Sequence, residues 1–170
     1  MNIKTGDIIV FKRKGFVSFV LGGILKQFER QWDGWGWHVA FASGFHDDNG
    51  WMICEALAGG VQENPLSNYQ DYKVYHWFDE PLDQFKVNRF VAKHLGQKYD
   101  ILVYPLTALA YLVRHYWGKP VPRLFDNSWS CWELVYYFAD RMGKPFAESY
   151  DFPMVSDLMK ALEGKHARQR

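Results

Sequence analysis

The chain has little cysteine, almost no charge imbalance and no apolar run long enough to span a bilayer. Its two cysteines, Cys54 and Cys131 in 170 residues, exclude a disulfide framework, and they do not have the spacing of zinc ligands. They suit a reducing compartment. Lys and Arg number 20 against 19 Asp and Glu, a net charge of +1. Without a basic excess or stripe, electrostatic binding of nucleic acid is not expected. The six histidines (His38, His46, His76, His94, His115 and His166) include no His-x-x-x-His pair. His46-Asp47-Asp48, ahead of Gly50, reads as a polar turn more readily than as a ligand set, so neither metal nor cofactor is expected. The apolar run 101–113 covers 13 residues, short of the ~20 needed to cross a membrane. Lys12-Arg13-Lys14 and the apolar residues 16–25 imitate a signal peptide. However, Lys26-Gln27-Phe28-Glu29-Arg30 stands where a small-residue cleavage site belongs, and a strand-like segment lies upstream. A soluble, cytoplasmic protein is expected, with contact to a membrane surface left open.

Aromatic rings are what the chain has in abundance: 8 Trp, 10 Tyr and 13 Phe, or 18% of its residues. Together with the low net charge they exclude disorder. The length suits one domain, residues 1–170, with a core over about 5–145 and a C-terminal helix and basic tail over 150–170.

Thr5-Gly6-Asp7 turns into a strand at 8–11. Residues 15–30 have helical spacing, interrupted by Gly22-Gly23. Strands are predicted at 37–43 and 51–57, joined as a hairpin. Gly59-Gly60 ends the second of these and leads into Val61-Gln62-Glu63. A further aromatic and β-branched strand covers 72–78. After Pro81 the spacing becomes helical up to Gly96, and a second helical stretch covers roughly 99–117. The next helix runs from about 131 to 142 and ends at Gly143-Lys144-Pro145. A last helix covers 155–162, followed by a Lys/Arg tail expected to fray. Strands first and helices later imply an α+β fold, a small antiparallel sheet packed on helices.

Ser130 and Glu133 have the spacing of a capping box, which would make Cys131 the first residue of a helix. The unpaired amides and positive dipole end there favour a thiolate, the nucleophilic form of cysteine. A buried thiol serving as a small hydrophobe fits the same pattern. His38 interrupts an apolar strand. Alternation places it on one face with the small residues Ala40 and Ala42, while Trp37, Val39 and Phe41 face the other way. Glu55 lies mid-strand with Ile53 and Trp51 on its face and Cys54 opposite. A carboxylate there costs several kcal/mol to bury unless paired, and a histidine on the adjacent strand is its natural partner. Cys131, His38 and Glu55 thus form a self-consistent nucleophile, base and orienting carboxylate, leaving Cys54 as structural. Trp37, Trp129 and Trp132 lie next to these residues in sequence and are candidate walls of a cleft.

Several short motifs follow one another: Gly6-Asp7-Ile8-Ile9, Trp37-His38-Val39-Ala40, Ile53-Cys54-Glu55-Ala56, Gly60-Val61, Gly96-Gln97-Lys98-Tyr99-Asp100 and Ser130-Cys131-Trp132-Glu133-Leu134. Their order resembles that of the permuted NlpC-like cysteine peptidases, most closely the YiiX-like branch, over roughly residues 5–145. The resemblance implies a circularly permuted papain-like fold, a small sheet or partial barrel on helices, in which histidine and the acidic residue precede the cysteine. It implies Cys131 as nucleophile, His38 as base, Glu55 as orienting residue and Tyr99 as a residue lining the site. It also implies a bacterial or phage source and hydrolysis of amide bonds in small or cell-wall-type peptides. Departures from the pattern are the missing secretory signal, the bulky Trp132 after the cysteine, and an apolar insert over 101–123. The insert suits a second reading, a thioester-forming acyltransferase or lipid hydrolase of the lecithin–retinol acyltransferase type. A third reading is a ligand-binding domain without catalysis.

Overall fold

In the computed structural model the described residues are 2–12, 35–46, 48–99, 128–146 and 155–168. The expected helices over 15–30 and most of 99–117 lie outside them. Five strands form one antiparallel sheet: β1 (Ile8–Lys12), β2 (Trp35–His46), β3 (Gly50–Leu57), β4 (Gly60–Pro65) and β5 (Tyr72–Tyr75), in the spatial order β4-β3-β2-β1-β5. Among the described residues the sheet is open, with β4 and β5 at its edges, and does not close into a barrel. The described residues also form three α-helices: α1 (Gln84–His94), α2 (Cys131–Arg141) and α3 (Val155–Arg168). The protein is therefore α+β. Among the described residues no helix is long and apolar enough to cross a membrane.

Each face of the sheet is covered by its own core. On the helix side, Ile8, Val10, Val39, Phe41, Cys54 and Ala56 pack against Val87, Phe90 and Val91 of α1, Leu134, Val135 and Phe138 of α2, and Leu158 and Leu162 of α3. Phe41 stacks on Phe138 with ring centroids 3.7 Å apart, and the Phe90 ring meets both edge-on. On the other face Ile9, Phe11, Ala40, Ala42 and Ile53 pack with Ile3 and Leu66, flanked by Trp51, Tyr69 and Tyr72. The central strands are thus buried on both sides, which accommodates much of the aromatic excess.

The helix ends follow from local chemistry. Asp83 caps α1 by accepting a hydrogen bond from the Phe85 amide at 2.8 Å. At the end of α2, Gly143 has φ of +84°. The Lys144 amide donates to the Ala139 carbonyl and the Gly143 amide to that of Asp140. These are the paired bonds of a Schellman motif, and Pro145 follows where the helix cannot continue. The C-terminal segment is better anchored than its basic composition suggests. α3 runs to Arg168, and Lys165 bonds the Trp77 carbonyl and pairs with Asp79 at 2.9 Å.

Three strands differ from expectation. β4 is a full six-residue strand where the polar sequence Gln62-Glu63-Asn64 showed no apolar alternation. Lys98–Tyr99 is a short strand, β6, rather than a helix start, and it pairs in parallel with Ser128–Trp129, β7.

Candidate active site

The register of β2 and β3 decides whether His38 and Glu55 meet. The ladder includes Phe41↔Cys54 and Ala42↔Ile53. Extended by one step it brings Ala40 opposite Glu55 and leaves His38 as a diagonal neighbour on the same face, within reach of a long side chain. His38 Nε2 lies 2.5 Å from Glu55 Oε2. Phe11, the cross-strand partner of His38 in β1, holds its ring 5.4 Å from the imidazole. The other side of this face carries Tyr69, whose ring is 4.7 Å from that of Phe11.

Glu55 is completely buried, at 0% exposure. Oε2 meets His38, and Oε1 accepts hydrogen bonds from Asn64 Nδ2 at 2.7 Å and from the Tyr69 hydroxyl. Burial alone would push this carboxyl up. The His38 hydrogen bond and charge, then the bonds from Tyr69 and Asn64, outweigh it and hold the group below its ordinary range.

Cys131 opens α2 and is 2% exposed. The capping box is complete: Ser130 Oγ accepts from the Glu133 amide, and the Glu133 carboxylate accepts from the Ser130 amide at 3.0 Å. Its thiol lies near enough to His38 to act on the charge of the imidazole. Since Nε2 is engaged by Glu55, Nδ1 is the ring nitrogen left for the sulfur.

A backbone clamp delivers the start of α2 to this point. The Val61 amide donates to the Gln97 carbonyl and the Gly96 amide to the Val61 carbonyl, both at 2.8 Å. β6 follows and pairs with β7 through Lys98↔Ser128 and Tyr99↔Trp129. The indole of Trp129 donates to the Gln97 side-chain carbonyl, and Ser130 and Cys131 come next in the chain. Since β4 starts where β3 ends and β2 begins, the clamp sets the helix start at the His38 end of the sheet. Gly60 has φ of +108°, and a Cβ there would lie 2.5 Å from the Gln97 carbonyl oxygen. Only glycine permits so close an approach. The Gly60-Val61 and Gly96-Gln97 pairs therefore have a mechanical role in placing the cysteine.

Burial disfavours the imidazolium form of His38. The neighbouring Cys131 sulfur, followed by the bond to and charge of Glu55, overcomes this and raises its pKa from 6.5 to about 10. Protonation of His38 alone contributes stability that is fully present below about 6.5 and is lost as the pH rises through about 10; the Glu55 side of the pair sets the acid limit. Histidine NMR titration should place the His38 midpoint near 10. A midpoint below neutrality would contradict a charged Cys131–His38–Glu55 arrangement.

Sequence reasoning singled out other residues around this centre. Trp129 and Trp132 belong to the helix-side core, 5% and 3% exposed. Trp129 packs on His94 and Tyr137. Tyr99 is half-buried in β6 against the same core. Trp37 lies on β2, and its side chain is outside the described residues. Cys54 lies on the opposite face from Glu55, in the helix-side core at 0% exposure. Its thiol is pushed up by burial and by the charges of Glu63 and Glu55. Among the described residues no cluster of His, Cys, Asp and Glu could hold a metal ion. The sequence does not point to Asn64, Tyr69 and Phe11 as parts of the site. Nothing local marks them, because each acts on a residue distant in the chain.

No family model and no curated protein matches this chain.

Proposed function

We propose that the protein is a cysteine hydrolase that cleaves amide bonds, with small or cell-wall-type peptides as substrates. One observation carries this reading: His38 bonds the buried Glu55 carboxylate and lies beside Cys131, so β2, β3 and the start of α2 each contribute one of the three residues. Cys131 as thiolate attacks the carbonyl carbon. Backbone N–H groups in the first turn of α2, that of Cys131 among them, lack intrahelical acceptors and face the developing oxyanion. His38, protonated between two negative groups, gives its Nδ1 proton to the leaving amine and then takes one from the water that releases the acyl group. Glu55 holds the ring in place through Nε2 and stabilises its charge. The order of these residues along the chain supports the permuted NlpC-like, papain-like assignment, and a cytoplasmic location belongs to the same proposal.

Incubation with murein peptides or with lipid extracts, followed by mass spectrometry of the intact protein, tests the reading. A peptidyl adduct on Cys131 that water discharges is expected. A fatty-acyl adduct passed to an added amine or alcohol would replace hydrolysis by acyl transfer of the lecithin–retinol acyltransferase type. If no adduct forms and iodoacetamide labels Cys131 no faster than Cys54, the catalytic reading is wrong.

A further inference from the structure

The two oxygens of Glu55 are used differently. Oε2 faces His38, whereas Oε1 accepts from both Tyr69 and Asn64. We propose that Tyr69 is a positioning residue for His38, its hydroxyl holding Oε1, together with the Asn64 amide, so that Oε2 is presented to the imidazole. This rests on Cys131, His38 and Glu55 being a catalytic unit.

The placement of Tyr69 is built for this contact. β4 ends at Pro65, and a single 3-10 turn, Leu66–Asn68, follows. Leu66 is buried in the core of this face, and the Tyr69 amide closes the turn onto the Leu66 carbonyl at 3.0 Å. The phenol ring then lies against Phe11, which also flanks His38. Asn64 pairs with Ile53 across β3 and β4, and Glu55 pairs with Gln62. Asn64 is therefore a diagonal neighbour of Glu55 on the same face.

The chemistry of the two donors fits the task. A lysine or arginine at Oε1 would neutralise the charge that the imidazolium needs. An uncharged hydroxyl and amide restrain the oxygen without competing for that charge. The Tyr69 hydroxyl also remains a donor across the working range, since burial and the bond to Glu55 push its ionisation up. A tyrosine serving only to fill the core against Phe11 would be replaced without loss by phenylalanine.

Tyr69→Phe in the full chain tests this. Removing a hydrogen bond to a charged group should raise the Glu55 titration midpoint, followed by carboxyl carbon NMR, by roughly one to two pH units. The acid limb of Cys131 alkylation by iodoacetamide should move with it. With a turned-over substrate, kcat should fall while KM stays within about two-fold, as expected when ground-state binding is untouched. Asn64→Ser, which weakens the other donor to the same oxygen, should shift the midpoint and limb in the same direction, and serves if Tyr69→Phe does not fold. A wild-type Cys131 no more reactive than Cys54 would overturn the catalytic reading. A reactive wild-type Cys131 with an unmoved midpoint and acid limb in the folded variants would overturn the role of Tyr69 alone.

Discussion

Cys131→Ala should lower peptide hydrolysis by about 10⁴-fold or more, since removing the nucleophile of such a unit costs nearly all of its catalysis. The fold should survive. The lost sulfur sits at a helix start whose capping box, Ser130 with Glu133, and whose apolar face, Leu134, Val135 and Phe138, are untouched. A second signature separates this role from simple loss of packing. Cys131 is the largest contributor holding His38 protonated, so the His38 midpoint should fall from about 10 when the thiol is removed. Cys54→Ala is the matching control. That thiol is buried on the opposite face, and neighbouring Glu63 and Glu55 disfavour its ionised form. It should retain activity and the His38 midpoint. Hydrolysis assays with histidine NMR on both variants decide the matter. Activity surviving in Cys131→Ala, or disappearing in a folded Cys54→Ala, would rule out Cys131 as nucleophile.

Glu55→Ala should cost about 3–5 kcal/mol of stability, the range for breaking a buried charge pair by removing one partner. His38 would lose its counter-charge, and the Tyr69 hydroxyl and Asn64 amide would be left without their acceptor inside the core. Glu55→Gln preserves volume and should cost less stability. It should still reduce turnover by about 10³–10⁴-fold, because a neutral amide no longer stabilises the imidazolium. The pH dependence has a defined sign. The folded state holds the Glu55 carboxyl below its ordinary 4.5, so its contribution is present above about 4.5 and is lost as the pH falls through the lower folded value. Wild type should therefore lose stability on acidification, and Glu55→Gln should lose this part of the dependence. Urea denaturation from pH 3 to 7 measures it. A Glu55→Ala protein as stable as wild type would show that the carboxylate does not hold the network together.

The parts of the site legible in the sequence are those governed by nearest neighbours. Strand alternation has a period of two, so His38 was placed with Ala40 and Ala42, and Glu55 opposite in facing to Cys54, before any partner was known. The capping box acts within three residues, and it marked Cys131 as the first residue of α2. Glycine followed by proline marked the end of that helix for equally local reasons. β4 escaped notice because its polar residues are satisfied by partners rather than exposed: Asn64 by Glu55, and Glu63 by the Ser43 hydroxyl at 2.5 Å. A strand with such partners shows no apolar alternation. β6 and β7 are two residues each, too short for any periodic signal, and the helical spacing after residue 99 pointed the other way.

The sequence by itself determined which residue types stand on which strand face and at which helix end. It also determined that a carboxylate at Glu55 would require a partner. The tertiary structure decided who the partners are. Asn64 and Tyr69 reach Glu55 only once β4 pairs with β3 and the turn after Pro65 folds under the sheet. Cys131 reaches His38 only because Gly60 lets Gln97 approach and carry Trp129 with it. These contacts join residues from 9 positions apart, Asn64 and Glu55, to 37 and more, Gly60 and Gln97 among them, and their energies exist only after sheet order and register are chosen. Local periodicity and capping do not extend over such distances.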